Sequence, residues 1–228
     1  MDISPIAYFH SPLPQKFGLP RQSGLVEDLE GRIVFEPAFR SPDALRGLDG
    51  FDYIWLIWEF NLNGDSRPDR ESLTVRPPRL GGNERVGVFA SRSPFRPNGL
   101  GLSSVRVVSV DFEKCEIVVS GADLADGTPI YDIKPYVTYC DSHPEARSGF
   151  ADARAWRRLE VRAASPAVQA ALERALGSQS LRALFGLLAE DPRPAFHDDP
   201  SREYGLTYSG HDIHFRVSGS VLTIISLD

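Results

Sequence analysis

The sequence predicts a mainly β N-terminal region followed by a small α+β region. About seven β-prone stretches and hardly a helix fall within the first 140 residues, and such a run closes most economically into a barrel or a sandwich. The composition changes near residue 141, and the clearest helical pattern of the chain follows that change. We therefore expect one domain over residues 1–144 and a second over residues 145–228.

The strongest strand signal is Phe51–Phe60, which is almost continuously apolar and aromatic and predicts a central buried strand. Two long loops, residues 10–24 and 61–84, are rich in proline and glycine, and long ordered loops are often functional. Ser41 followed by Pro42 predicts the start of a short helix. Further strands are predicted at residues 3–9, 31–35, 85–90, 102–112, 114–120 and 130–137.

The second region opens with a strand-like stretch, residues 156–163. Ser165–Gly177 has a serine cap, a proline at the first helical position and a closing glycine, so it predicts a helix. Residues 179–189 predict a second helix. Residues 205–208, 213–217 and 221–227 predict a small antiparallel sheet.

Composition excludes several classes of protein. No apolar run approaches the 18–20 residues of a membrane span, and the N-terminus lacks the basic start of a signal peptide. Two cysteines, Cys115 and Cys140, are too few for a disulfide scaffold or a four-ligand zinc site, which favours a reduced, cytoplasmic setting. His211 and His214 lie on a predicted strand and point to opposite faces, so we expect no metal there.

The net charge of −6 argues against indiscriminate nucleic-acid binding, but the charge is unevenly distributed. Residues 67–106 carry eight arginines against three acidic residues. This stretch could bind a polyanion even though the whole chain is acidic.

Within that stretch, Arg92 and Arg96 lie on a loop between two predicted strands. Prolines stiffen the loop, and glycines let its backbone approach a partner closely. Two fixed cations on a rigid loop favour an anionic or planar ligand. The alternative is a structural loop whose arginines pair with local carboxylates.

The common catalytic and nucleotide-binding motifs are absent. The sequence contains no strand followed by GxGxxG, no GxxxxGK[ST] and no nucleophile elbow. Rossmann, P-loop and serine-hydrolase chemistry therefore lack support.

Several segments, taken in order, closely resemble the TrmO/TsaA-like (YaeB/VirR) family over nearly the whole chain. These segments are residues 20–22, 75–83, 87–98, 123–129, 132–136 and 191–194. The resemblance implies an S-adenosylmethionine-dependent methyltransferase that is homodimeric and built on a single β-barrel. The activity it implies is N6-methylation of threonylcarbamoyl-adenosine beside a tRNA anticodon, with residues 1–144 binding the cofactor and residues 145–228 recognising tRNA.

The resemblance also implies a set of cofactor-binding residues, in which Arg92 contacts the carboxylate of the methionine moiety. The set is Arg21, Gln22, Ser23, Asn61, Leu62, Arg92, Leu102, Asp126, Gly127 and Thr128. Some members have simpler interpretations: Leu102 as a core leucine, and residues 126–128 as an ordinary Asp-Gly turn. Arg96 and Asn98 could contact the ligand or hold the shape of the loop.

Asp132, Lys134 and Tyr136 alternate along a predicted strand and share one face, so they are the candidate catalytic residues. One of them could orient the target base or remove its proton, because the acceptor N–H is amide-like and weakly acidic. Direct in-line transfer from a sulfonium depends mainly on positioning, so a dedicated base is not required.

The candidate tRNA contacts are basic and aromatic. Arg67, Arg70, Arg76 and Arg79 are suited to phosphate, although a solvated basic face would carry the same residues. In the second region, Arg193 is suited to phosphate and Phe196 to stacking on a base. The family pattern tends to have tyrosine at the position of Phe196.

Two other functions stay open on the sequence: an S-adenosylmethionine-dependent enzyme with a different small substrate, and a non-catalytic RNA-binding or regulatory module. The position of the second region separates tRNA from a small substrate. If its basic and aromatic residues lie beside the barrel mouth, tRNA is favoured; if they face away, a small substrate is favoured.

Overall fold

The computed structural model describes residues 2–64, 73–76, 85–153, 157–194, 197 and 199–228. The strands are β1 (Ala7–His10), β2 (Glu30–Phe35), β3 (Tyr53–Glu59), β4 (Thr74–Val75), β5 (Val86–Gly87), β6 (Leu100–Asp111), β7 (Glu116–Ser120), β8 (Thr128–Pro135), β9 (Glu160–Ala163), β10 (Tyr204–Tyr208), β11 (His211–Ser218) and β12 (Val221–Leu227). The α-helices are α1 (Pro42–Leu45), α2 (Thr138–Asp141) and α3 (Pro166–Ala189).

Within these residues, six strands close into a barrel in the order β1-β2-β7-β6-β3-β8, which confirms the predicted barrel. Every neighbouring pair in it is antiparallel. The aromatic strand β3 pairs on both sides, with β6 and β8, but only alternate side chains are fully buried. Ile54, Leu56 and Trp58 fill the barrel interior, whereas the residues between them face outward and keep partial exposure.

The predicted strand at residues 85–90 is mostly wrong. Only β5 is extended, and it pairs with β4 in a two-stranded sheet outside the barrel. Val88–Ala90 turns into a short 3₁₀ helix. The barrel is already closed by β8, which pairs with both β1 and β3, so it leaves no edge for this segment to join.

The second region contains a four-stranded sheet in the order β10-β11-β12-β9. The predicted antiparallel strands are confirmed, and β9 adds a fourth strand that runs parallel to β12. The two predicted helices are confirmed as the two parts of α3, which is interrupted at Gly177 by a positive φ of 70°. None of the helices in the described parts of the chain has the length and apolar content needed to cross a membrane.

The structure has two hydrophobic cores. One fills the barrel, and the other lies between α3 and the four-stranded sheet. The second core also takes Leu13, Val26 and Leu29 from the long segment between β1 and β2. Gly18 in that segment lies so close to Leu206 that a Cβ there would be 2.4 Å from the leucine side chain. The β1–β2 segment therefore packs the barrel rim against the second core.

Candidate functional site

One rim of the barrel collects the segments that carry the predicted cofactor residues. In an antiparallel barrel, β1, β3 and β7 end where β2, β6 and β8 begin. The register shows this directly, with Phe9 opposite Thr128 and Glu59 opposite Leu100. Residues 21–23, 61–62 and 126–128 therefore lie in connections at one end of the barrel.

Arg92 and Gln22, both predicted to bind the cofactor, contact each other although they are 70 positions apart in the chain. The Arg92 Nη1 group donates to the Gln22 side-chain oxygen, and the Gln22 amide donates to the Arg21 carbonyl. Arg92 nevertheless keeps an exposed side chain. A guanidinium has five N–H donors, so a neutral amide partner orients Arg92 without neutralising its charge.

Arg96 holds the shape of the arginine loop. Its Nη1 group donates to the carbonyls of Ser91 at 2.7 Å and Val88 at 3.4 Å. The side-chain amide of Asn63, just after β3, donates to the Pro94 carbonyl at 2.9 Å. These contacts favour a structural role for Arg96 and fix the loop against the end of β3.

The turn at residues 126–128 makes structural contacts and also belongs to the candidate site. Gly127 has a φ of 72°, which favours glycine, and the Asp126 carboxylate lies 3.3 Å from His10 Nδ1. The buried Thr128 hydroxyl lies 3.5 Å from the Asn61 side-chain oxygen, which brings together two predicted cofactor segments. The predicted Asp-Gly turn is therefore present, and it lies at the rim beside another predicted cofactor segment.

Asp123 is the rim residue that sequence reasoning did not place in the site. Its carboxylate accepts a 2.6 Å hydrogen bond from Ser103, whose hydroxyl accepts one of 3.0 Å from the Trp58 indole. Burial raises the pKa of Asp123, while hydrogen bonds from Ser103 and from the Ser23 backbone and the charge of Arg92 oppose that rise. The sequence signal that could have pointed to Asp123 is a single acidic residue that is flanked by apolar residues just before an Asp-Gly turn.

The outer face of the barrel brings Leu102 and the candidate catalytic residues together. Asp132 and Leu102 are both register partners of Ile57, from the strands on its two sides. Lys134 is opposite Trp55 in the next row. Directly opposed residues project to the same side of a sheet, so this face carries all of them. Leu102 is 61% exposed, which excludes its interpretation as a core leucine.

Tyr136 lies further from the rim. Its ring packs against Tyr53 and Trp55, with centroid distances of 6.2 and 5.6 Å. It follows Thr128 by eight positions, or about 26 Å at roughly 3.3 Å per residue of strand. Asp132 is the candidate catalytic residue nearest the rim, and the roles of all three residues stay predictions.

Of the predicted tRNA contacts, Arg67, Arg70, Arg79 and Phe196 lie outside the described residues. Arg76 follows β4 and is exposed. Arg193 is only 9% exposed, and its Nε and Nη2 groups bind the two carboxylate oxygens of Asp191 at 2.9 and 3.0 Å. This bidentate pair gives Arg193 a structural role, and its contact with phosphate stays a prediction.

The segment around Asp191 lies against the predicted cofactor loop. The Arg21 Nη2 group donates to the Asp191 carbonyl at 2.8 Å. Asp191 has a φ of 52°, a backbone conformation that non-glycine residues seldom adopt, and its ion pair with Arg193 stabilises that turn. The Asp-Pro-Arg-Pro segment of the second region is therefore in direct contact with the barrel rim.

The rim has the chemistry that a sulfonium amino-acid cofactor requires. An exposed guanidinium suits a carboxylate, exposed Leu102 suits an apolar surface, and the 126–128 turn offers backbone groups. A depression of about 460 Å³ on the β1–β2–β7 side shares only Asp126 with the predicted cofactor residues. The remaining predicted cofactor residues do not line that depression. Among the described residues, no cluster of three or more metal-ligating side chains occurs.

A closed antiparallel barrel, with the predicted cofactor residues at one rim and no glycine-rich nucleotide motif in the sequence, defines a class distinct from Rossmann-type enzymes. The family model of the tRNA-methyltransferase O N-terminal domain matches residues 8–142, and that of the TrmO C-terminal domain matches residues 157–228. The chain belongs to the TrmO family.

Relatives of similar length support this membership. The tRNA (adenine(37)-N6)-methyltransferase of Escherichia coli K12 is 35% identical over 235 residues, covering 98% of this chain and 96% of that protein. A Pseudomonas aeruginosa protein named as an S-adenosylmethionine-dependent methyltransferase, RcsF, is 40% identical over 216 residues, covering 93% and 91%. The crystal structure of TrmO from Pseudomonas aeruginosa matches with a TM-score of 0.80 at 30% identity, covering 100% of this chain and 98% of that one.

Proposed function

We propose that this protein is an S-adenosylmethionine-dependent tRNA methyltransferase that methylates N6 of the adenosine next to the anticodon. The observation that carries the proposal is the 2.8 Å hydrogen bond from Arg21 to the Asp191 carbonyl, which joins the predicted cofactor loop to the Asp-Pro-Arg-Pro segment. That arrangement favours a macromolecular substrate over a small one, because the second region can hold RNA next to the reacting centre. The names of the relatives point to the same activity.

The substrate we propose is threonylcarbamoyl-adenosine, whose N6–H is amide-like. When bound, S-adenosylmethionine supplies an electrophilic methyl group on its sulfonium. Arg92 holds the cofactor carboxylate, Leu102 covers an apolar part of it, and the 126–128 turn faces its adenosine. Asp132 and Lys134, on the same face as Leu102, orient the acceptor or take its proton, while positioning for in-line transfer supplies most of the catalysis.

We further propose that residues 1–144 form the cofactor-binding domain and residues 145–228 the tRNA-recognition domain of a cytoplasmic homodimer. The dimer is supported by exposed large side chains on the outer face of the barrel. Tyr53 is 44% exposed and Val108 is 48% exposed, and Leu102 lies on the same sheet.

Calorimetric titration with S-adenosylmethionine tests the cofactor assignment. We expect micromolar binding by the wild-type protein and at least tenfold weaker binding by Arg92→Ala, a loss of about 1.4 kcal/mol. Arg46→Ala is the matched control, because Arg46 is an exposed arginine that pairs locally with Asp43. A wild-type protein that binds no S-adenosylmethionine would rule out an enzyme of this kind and favour an RNA-binding module.

Methyl transfer to RNA tests the substrate. With radiolabelled cofactor, we expect label in tRNA that carries threonylcarbamoyl-adenosine and much less in the free modified nucleoside. Equal transfer to the free nucleoside would instead favour the small-substrate enzyme. Unmodified tRNA in the same assay shows whether the threonylcarbamoyl group is needed first.

A further inference from the structure

Asp123 occupies a central place among the segments that meet at the rim. Its carboxylate accepts a hydrogen bond from Ser103 of β6, and the Ser23 backbone of the first long loop and the charge of Arg92 also act on it. Asp123 precedes the 126–128 turn by three residues. Three of the five predicted cofactor segments therefore contain, or directly adjoin, a residue that interacts with this one carboxylate, and a fourth begins three residues after it.

The direction of the hydrogen bonds shows what Asp123 does in that position. The Trp58 indole N–H can only donate, so the Ser103 hydroxyl accepts from it and must use its own proton elsewhere. That proton goes to Asp123, at 2.6 Å. Ser103 is 2% exposed and Trp58 is 5% exposed, so this chain of donors is fixed by the barrel core. Asp123 is consequently held as a hydrogen-bond acceptor at the end of this chain of donors.

The packing around Trp58 is tight enough to hold the hydrogen bonds from Trp58 to Ser103 and from Ser103 to Asp123 in place. A Cβ on Gly101 would lie 2.4 Å from the Trp58 indole, so the indole lies directly over the glycine backbone. On the other side of Asp123, the Gly24 N–H donates to the Gly121 carbonyl at 2.8 Å, and the Gly121 N–H donates to the Leu29 carbonyl at 2.9 Å. The first long loop is thus clamped to the strand that leads into Asp123.

This arrangement costs stability, because the environment of Asp123 disfavours its charged form. Desolvation is the largest influence on its pKa and raises it, and the nearby hydrogen bonds and Arg92 only partly compensate. A carboxylate kept in such a place within a ligand site is more often functional than structural.

We infer that Asp123 is a positioning residue, which links Ser103 of the barrel wall to Ser23 and Arg92 and so fixes the cofactor-binding loops in their binding geometry. This inference rests on the proposed function, because it concerns the same rim. A positioning residue of this kind should affect cofactor affinity without supporting the fold.

The test combines cofactor binding with the stability of the protein without ligand. Asp123→Asn keeps the shape of the side chain and removes its charge. We expect S-adenosylmethionine to bind at least tenfold more weakly by calorimetry, while the melting temperature without cofactor stays equal or rises. Asp212→Asn is the matched control, since Asp212 accepts a similar 2.7 Å hydroxyl hydrogen bond from Thr207 in the second sheet. The control should bind as the wild type does.

Steady-state kinetics and a second variant complete the test. For Asp123→Asn we expect the KM for S-adenosylmethionine to rise at least tenfold with little change in the KM for tRNA. Ser103→Ala should weaken S-adenosylmethionine binding and raise the KM for S-adenosylmethionine by smaller factors, because it removes one hydrogen bond to Asp123 and leaves the carboxyl group in place.

The inference is overturned if Asp123→Asn binds S-adenosylmethionine within threefold of the wild type. It is also overturned if the variant loses affinity only together with a marked fall in melting temperature, since Asp123 would then be structural. If the wild type itself binds no cofactor, the proposed function fails and this inference fails with it. Normal wild-type binding and an unaffected variant overturn this inference alone.

Discussion

The barrel rim and the second hydrophobic core bury different kinds of side chain. The second core is built from leucine, isoleucine, valine, phenylalanine, tyrosine and alanine. The buried polar and charged side chains of the described residues are Ser103, Ser120, Thr128, Glu190 and Arg193. The first three belong to the barrel strands near the rim. Glu190 pairs with Arg158 just after α3, and Arg193 pairs with Asp191, whose carbonyl accepts a hydrogen bond from Arg21. Apolar side chains therefore dominate the second core, whereas the buried polar side chains lie on the barrel strands or in ion pairs just after α3.

Leu13→Ala should give the largest loss of stability, and it tests whether the β1–β2 segment belongs to the second core. Leu13 precedes β2 in the chain but is fully buried in the second core, so we expect a loss of about 2–5 kcal/mol in the free energy of unfolding. Ile3→Ala, at a side chain that is 51% exposed, should change it by less than about 0.5 kcal/mol. Urea denaturation measures both. Equal effects would show that Leu13 is not part of a cooperative core.

Arg193→Ala separates a structural arginine from a phosphate-binding one. It removes one partner of a nearly buried ion pair, so we expect a loss of about 3 kcal/mol in the free energy of unfolding. Arg46→Ala breaks an exposed pair with Asp43 and should cost less than about 0.5 kcal/mol. If Arg193→Ala instead leaves the melting temperature unchanged and weakens only tRNA binding, Arg193 contacts phosphate as predicted from the sequence.

Gly101→Ala probes the tight contact beneath Trp58. The added Cβ would lie 2.4 Å from the indole, so we expect a loss of about 2 kcal/mol from overpacking. Gly87→Ala is the control, because a Cβ there meets nothing within 4 Å and the residue has a φ of −61°. Thermal melts of the two variants should differ by several degrees. Matching melts would mean that the indole can move aside, which would weaken the chain from Trp58 to Asp123.

The smallest expected effect is a pH dependence of stability. The pKa of Asp123 lies above its ordinary value of 3.8, so in this range the folded protein binds a proton more readily than the unfolded chain does. Its contribution is therefore most favourable at low pH and is lost as the pH rises through the raised pKa.

Urea denaturation of the wild type and Asp123→Asn at pH values from about 4 to 7 measures this dependence. Relative to the variant, the wild type should lose stability as the pH increases. A constant difference between the two proteins would show that Asp123 does not titrate as its surroundings indicate.

Much of the fold was predictable because it depends on local patterns. The alternation along β8 placed Asp132 and Lys134 on one face, and the capping signals placed the start of α3 at Ser165. Residues 85–90 were predicted as a strand from composition, but a barrel closed by other strands had no edge for them. The parallel pairing of β9 with β12 also escaped prediction, since no local pattern specifies which distant strand becomes a neighbour.

The sequence by itself determined most of the barrel strands, the two parts of α3, the first long loop and, through the family resemblance, the segments predicted to contain the cofactor residues. Most of the second predicted loop, residues 61–84, lies outside the described residues, and Thr74 and Val75 within it form β4. Only the tertiary structure decided that Arg92 contacts Gln22, that Arg193 is held by Asp191, and that Asp123 lies between the rim segments. The physical reason is separation along the chain. Arg21 and Asp191 are 170 positions apart, and their contact exists because two hydrophobic cores bring their segments together. Local periodicity carries no information about such a contact.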